Sequence, residues 1–153
     1  MNPFRLFLGF SGRIGRRSFV FAVLLLAAAS PVSLNAILSS NPLADLVPSL
    51  RRLGPAGLVW SFALLIMIAA LMTKRLHDRG KSGLYAGLFY LPAALQLVTF
   101  FTGITPLTQQ VALWSGLIAA WIGATGLWFL VELGFYPGEQ GPNIYGPDRR
   151  SRA

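Results

Sequence analysis

LGPAGLVWSFALLIMIAALMTKRLHDRGKSG, Leu53 to Gly83, sets twenty-one residues without an ionisable side chain directly against five charges and the only histidine of the chain. The uncharged part, Leu53 to Thr73, is bracketed by Arg52 and Lys74 and is long enough to cross a bilayer as a helix. The charged part, Lys74 to Lys81, is where the chain must leave the apolar phase. Over its 153 residues the protein is 54% hydrophobic and only 12% charged, far below the roughly 25% charge of soluble domains.

The neighbouring runs repeat the pattern. Ser18 to Ala44 carries no ionisable side chain, and Ser18 to Leu38 alone is long enough to span. Ser82 to Val131 is also charge-free but too long for one crossing, and its polar, turn-prone middle, TGITPLTQQ (Thr102–Gln110), divides it. An open strand cannot satisfy its backbone in lipid. The expectation is an all-α membrane protein, a single domain of four transmembrane helices near 18–38, 56–73, 83–101 and 110–131. An interfacial basic segment, 1–17, precedes them and a cytoplasmic tail, 135–153, follows.

Orientation follows from lysine and arginine. Eleven of the thirteen cations fall in the N-terminal segment, the loop between spans two and three, and the C-terminal tail. Only Arg51 and Arg52 fall on the other side, so both termini are expected in the cytoplasm. GRRSFVFAVLLLAAAS (Gly15–Ser30) also has the look of a twin-arginine signal, but the apolar run continues past Pro31 and three more spans follow, which favours an intact first helix. The net charge of +8 would suit nucleic acid, yet the cations sit in short clusters between long uncharged runs, which fits membrane topology instead. Without cysteine there is no disulfide framework, thiolate nucleophile or thiolate metal site.

Three polar motifs converge on the expected cytoplasmic face: Phe10-Ser11-Gly12-Arg13-Ile14-Gly15-Arg16, Arg75-Leu76-His77-Asp78-Arg79-Gly80-Lys81-Ser82-Gly83, and Pro137-Gly138-Glu139-Gln140-Gly141-Pro142-Asn143-Ile144-Tyr145-Gly146. In this order they resemble the YhaH-like bacterial inner-membrane family (domain of unknown function 805). The resemblance covers nearly the whole chain. It implies a small multi-span bacterial inner-membrane protein and no particular reaction. The family often carries tryptophan after the first motif and after Ser-Gly, where this chain has Val20 and Leu84-Tyr85.

Within the central motif, Asp78 can pair with Lys74 or Arg75 along one helix face. Gly80 is a natural helix stop and Ser82 can cap the next helix, which makes a tight hairpin whose cations anchor the topology. Spans one and three both begin on the cytoplasmic side, so their positive ends near Ser18 and Ser82 point to one surface. Cations beside such ends repel them unless an anion lies between. Arg13, Arg16, Arg17, Ser18, Lys74, Arg75, Arg79, Lys81 and Ser82 are therefore candidates for holding an anionic phospholipid headgroup, such as that of cardiolipin or phosphatidylglycerol. His77, Asp78, Glu132, Asn143 and Tyr145 form a candidate structural polar network. Glu132 closes span four, where the helix end is already negative, so it is expected either to reach water or to pair with a basic motif, with Arg13 and Arg75 the leading partners.

Other signals are weaker. Gly9-x-x-Gly12-x-x-Gly15 has no preceding strand, and GRIGRRS has no Walker lysine, so nucleotide binding is not indicated. One histidine and five scattered carboxylates offer no metal-ligand cluster. No cofactor is expected. The leading functional expectation is a non-enzymatic membrane module that binds anionic lipid or a membrane partner, a second copy included. A small transporter or channel subunit is the alternative, and a lipid-headgroup enzyme using His77 and Asp78 is a third reading.

Overall fold

The computed structural model describes residues 3–30, 54–102 and 109–147. Most of these are helical, and the β pairing among them is the isolated bridge between Asn143 and Gly146. In chain order the elements are α1 (Pro3–Phe7), α2 (Arg16–Ala28), α3 (Gly54–Asp78), a 3-10 turn (Gly83–Ala86), α4 (Gly87–Thr102) and α5 (Gln109–Gly134).

Two of these, Gly54–Asp78 and Leu113–Gly134, are long and apolar enough to cross a membrane, while Gly83–Thr99 is a shorter apolar helix. Leu113–Gly134 is only 17% buried, and its Leu113, Trp114, Leu117, Trp121, Leu127 and Trp128 all face outward. Monomeric soluble proteins rarely expose large contiguous apolar patches. Of the first expected span, α2 covers the beginning; Pro31 to Leu38 lies outside the described residues, as do Arg51, Arg52, Arg149, Arg150 and Arg152.

α3 is the organising element. It contacts α1, α2, the 3-10 turn and α4, while α5 lies mainly against α4 and α2. Burial is uneven along it. Every residue from Ala69 to Leu76 is buried, whereas Val59, Trp60 and Ile66 nearer its start are exposed. The core follows that bias: Ile14, Phe19, Ala22 and Leu26 meet Leu71, Met72 and Leu76 of α3, with Phe129 and Leu133 closing from α5.

The helix does not stop at the first charge. It runs through Lys74 and Arg75 to Asp78 and ends where Gly80 takes a left-handed φ of 68°. The Gly80 amide then donates to His77 O at 3.1 Å and the Lys81 amide to Leu76 O at 2.9 Å, which satisfies two of the otherwise unpaired last carbonyls. Ser82 Oγ accepts from the Leu84 amide at 3.3 Å, so the next segment opens as a 3-10 turn before becoming α4. Inside α4, Pro92 has no N–H to give Leu88 O. Trp121 of α5 supplies the missing donor, with Nε1 2.9 Å from that carbonyl. At the opposite end of the molecule Trp60 Nε1 donates to Ala29 O at 3.3 Å, tying the start of α3 to the end of α2.

Candidate functional site: a polar lock of three motifs

The three motifs meet at the C-terminal end of α3. At the centre is the Asp78 carboxylate. One oxygen accepts from Arg13 Nε at 3.1 Å and the other from Arg75 Nη1. Arg75 is fully buried and Arg13 nearly so. Burying charge this deep is costly unless it is paired and hydrogen-bonded, and every guanidinium nitrogen of both arginines has a partner. Arg75 sends Nε to Leu133 O at 2.8 Å and Nη2 to Tyr136 O at 2.6 Å. Arg13 sends Nη2 to Glu139 O at 2.6 Å and Nη1 to Gly141 O at 2.7 Å, with Gly146 O 3.5 Å away.

The logic is one of backbone supply. The segment after α5 holds three prolines and three glycines between Phe135 and Asp148 and cannot satisfy its carbonyls by regular structure. Arginine offers five donors in a fixed fork, so two buried arginines can serve several carbonyls at once. The Asp78 backbone joins in, accepting from the Glu139 amide at 2.7 Å. Gly138 has to be glycine here, because a Cβ would overlap the Asp78 carboxylate and lie 3.2 Å from Arg75 Nη1.

A second layer holds the far part of the same loop. Asn143 Nδ2 donates to His77 O at 2.9 Å and to Glu139 Oε2 at 3.0 Å, and its Oδ1 accepts from the Tyr145 amide at 3.0 Å. The Tyr145 ring stacks on His77, with centroids 3.9 Å apart and planes within 5°. His77 Nδ1 lies 3.3 Å from Gly12 O, which brings in the first motif. His77, Asp78, Asn143 and Tyr145 are therefore in one connected network.

Glu132 corrects an expectation. It pairs with neither Arg13 nor Arg75 but with Arg79 at 2.9 Å and Lys81 at 2.6 Å. Arg79 stands just before the left-handed turn at Gly80 and Lys81 just after it, and both meet Glu132 of α5, while Arg13 and Arg75 are already taken by Asp78. Arg79 also donates to Pro137 O at 2.8 Å and lies 5.1 Å over the Tyr136 ring. Lys74 does not reach Asp78 either; its Nζ donates to the last carbonyls of α1, Arg5 O at 2.9 Å and Leu6 O, and so fixes the N-terminal helix to α3.

Of the nine headgroup candidates, Lys74, Arg75, Arg79 and Lys81 are thus committed to internal partners, and Ser82 to its own cap. Arg13 is likewise committed, to Asp78 and the loop carbonyls. Arg16, Arg17 and Ser18 remain, lining a cleft of about 420 Å³ with Arg13, Arg75, Asp78 and the turn Pro137–Glu139. The first turn of α2 opens onto it: Gly15 at the N-cap supplies no side chain for the free amides. Arg16 is exposed and donates to Phe135 O at 3.0 Å. Arg17 is exposed and makes no hydrogen bond or ion pair with the described residues. Gly138, Glu139 and Tyr136 were not singled out for this lock by the sequence reading. Their signal was the shortage of donors within the loop itself. Among the described residues no three His, Asp or Glu side chains come close enough to hold a metal ion.

A family model described as "Protein of unknown function (DUF805)" matches residues 7–147. The chain is similar to the uncharacterized protein YiiR of Escherichia coli strain K12, 33% identical over 140 residues that cover 91% of this chain and 84% of the relative. The same figures hold for YiiR of Escherichia coli O157:H7. No solved structure matches.

Proposed function

This chain belongs to the DUF805 family, and from that premise we propose that it is a non-enzymatic, four-crossing protein of the bacterial inner membrane, with both termini in the cytoplasm, that holds an anionic phospholipid headgroup in the cleft beside Arg16 and Arg17. One observation carries the reading: in a cleft with four guanidiniums, Asp78 answers two of them, and Arg16 and Arg17 stand over an uncapped helix start. Two cations beside a positive helix end are mutually unfavourable until an anion lies between them. A phosphate suits the arginine fork, and near a membrane the abundant phosphate is the lipid headgroup.

The membrane placement is supported by the charge-free runs, by the outward-facing apolar side chains of α4 and α5, and by the gathering of the basic motifs at one end. The non-enzymatic reading is supported by how the titratable groups are used. His77 is stacked under Tyr145, and Asp78 lies beneath two arginines and against a glycine turn. A general base needs a free lone pair facing a substrate.

The test is lipid mass spectrometry on protein purified in mild detergent. Phosphatidylglycerol or cardiolipin should co-purify in excess over its share of the membrane, and the excess should fall in the R16A/R17A double variant. A bound-lipid profile equal to the bulk membrane in both proteins would contradict the proposal.

A further inference from the structure

The arginine-lined cleft does not end at Arg16 and Arg17. On their other side a second, apolar groove of about 510 Å³ opens between α2 and the end of α5, lined by Val20, Phe21, Leu24, Gly134 and Phe135 and sharing both arginines at its mouth. Phe21, Leu24 and Phe135 are largely exposed there. Val20 and Leu24 are four apart on α2 and so lie one above the other on a single face. The buried Gly134 leaves the floor open where any side chain would rise towards Val20. Arg16 spans the boundary, its Nη1 holding Phe135 O at the groove's edge.

We infer that the two spaces form one amphipathic seat, in which the phosphate of a diacyl anionic phospholipid lies at Arg16 and Arg17 and one acyl chain runs down the groove between α2 and α5. This deepens the headgroup reading and rests on it. The occupant follows from the order of chemistries along the α2 surface. Cations stand at its first turn and apolar side chains one and two turns on, at the 1.5 Å rise per residue of a helix. An inorganic phosphate or a soluble phosphorylated metabolite satisfies only the first turn. A zwitterionic lipid fills the groove but brings its own cation to the arginines. Only a ligand with a net negative head and an acyl chain satisfies both parts.

The experiment is native mass spectrometry of the delipidated full chain, titrated with dioleoylphosphatidylglycerol, dioleoylphosphatidylcholine or the deacylated headgroup glycerophosphoglycerol. Wild-type protein should bind the first about 10-fold more tightly than the second, of the order of one lost charge-assisted contact, and glycerophosphoglycerol should not displace it. L24W, which fills the groove at an exposed position, should weaken dioleoylphosphatidylglycerol about 5-fold, of the order of one or two buried methylenes. F21A, which removes a wall without adding bulk, should weaken it in the same direction if L24W fails to fold. Unchanged affinity in the folded variants, or displacement by glycerophosphoglycerol, would overturn the acyl seat while leaving the headgroup reading intact. Equal binding of the two lipids by wild-type protein would overturn both. Dimers that disappear in L24W would place a second copy in the groove and overturn the inference.

Discussion

Asp78 and Glu132 each face two cations, yet the two clusters do different things. The side chains around Asp78 are closed off, with Arg75 at 0% exposure and Arg13 at 3%, whereas Arg79 and Lys81 around Glu132 keep 19% and 39%. The difference extends to what the cations hold besides the carboxylate. Arg13 and Arg75 reach five backbone carbonyls, of Leu133, Tyr136, Glu139, Gly141 and Gly146. Among the described residues Arg79 reaches one backbone carbonyl, Pro137 O. The Asp78 cluster is the joint by which the segment after α5 is bound to α3; the Glu132 cluster braces its rim. Counting opposite charges would rank them equal. Burial and dependent backbone rank them far apart.

Removing the carboxylate at the joint tests that ranking hardest. D78N leaves two guanidiniums buried without a counter-charge and should cost about 3–5 kcal/mol, or the fold itself, measured as thermal unfolding in detergent. R13K keeps the charge but loses the fork, so most of the carbonyls it served go unpaired. A loss of about 2–3 kcal/mol is expected, with faster amide exchange at Tyr145 and Gly146 but not in mid-α5. At the rim, E132Q should cost about 1 kcal/mol and the loss should shrink with added salt, because the pair is partly solvated. A larger penalty for E132Q than for D78N would invert the comparison. Trp121 provides a reference contact outside both clusters: W121F should cost about 0.5 kcal/mol, and nothing once P92A restores a backbone donor for Leu88 O.

The helical fold and the meeting of the three motifs were readable in the sequence, for a physical reason. Arg, His, Asp and Asn in a chain this apolar have few places to go, and the Gly- and Pro-rich loop 135–148 needs donors that only the basic motifs can supply. The 3.6-residue period also put Arg75 beside Asp78. The partners of Glu132 were not readable, because they depend on how α5 packs beside the Arg79–Lys81 turn. Spacing announces that a left-handed glycine will end α3, but not that Arg79 and Lys81 will swing towards α5. Nor did composition separate Lys74 from the headgroup candidates, since its role depends on where the carbonyl end of α1 comes to rest. The sequence placed the start of the first span near Ser18, whereas α2 begins at Arg16 with Gly15 at its N-cap; the groove beside it was not readable, because it depends on Gly134 and Phe135 from the other end of the chain.

The measurement closest to the central claim uses the absence of native cysteine. Single cysteines at Phe10, Leu84 and Ile144 place one exposed reporter beside each motif, and a membrane-impermeant maleimide is applied to intact cells and to inverted vesicles. All three should react in inverted vesicles and stay silent in intact cells. Labelling of any one of them from outside the cell, while the other two react from within, would contradict a joint built from all three motifs at the cytoplasmic face.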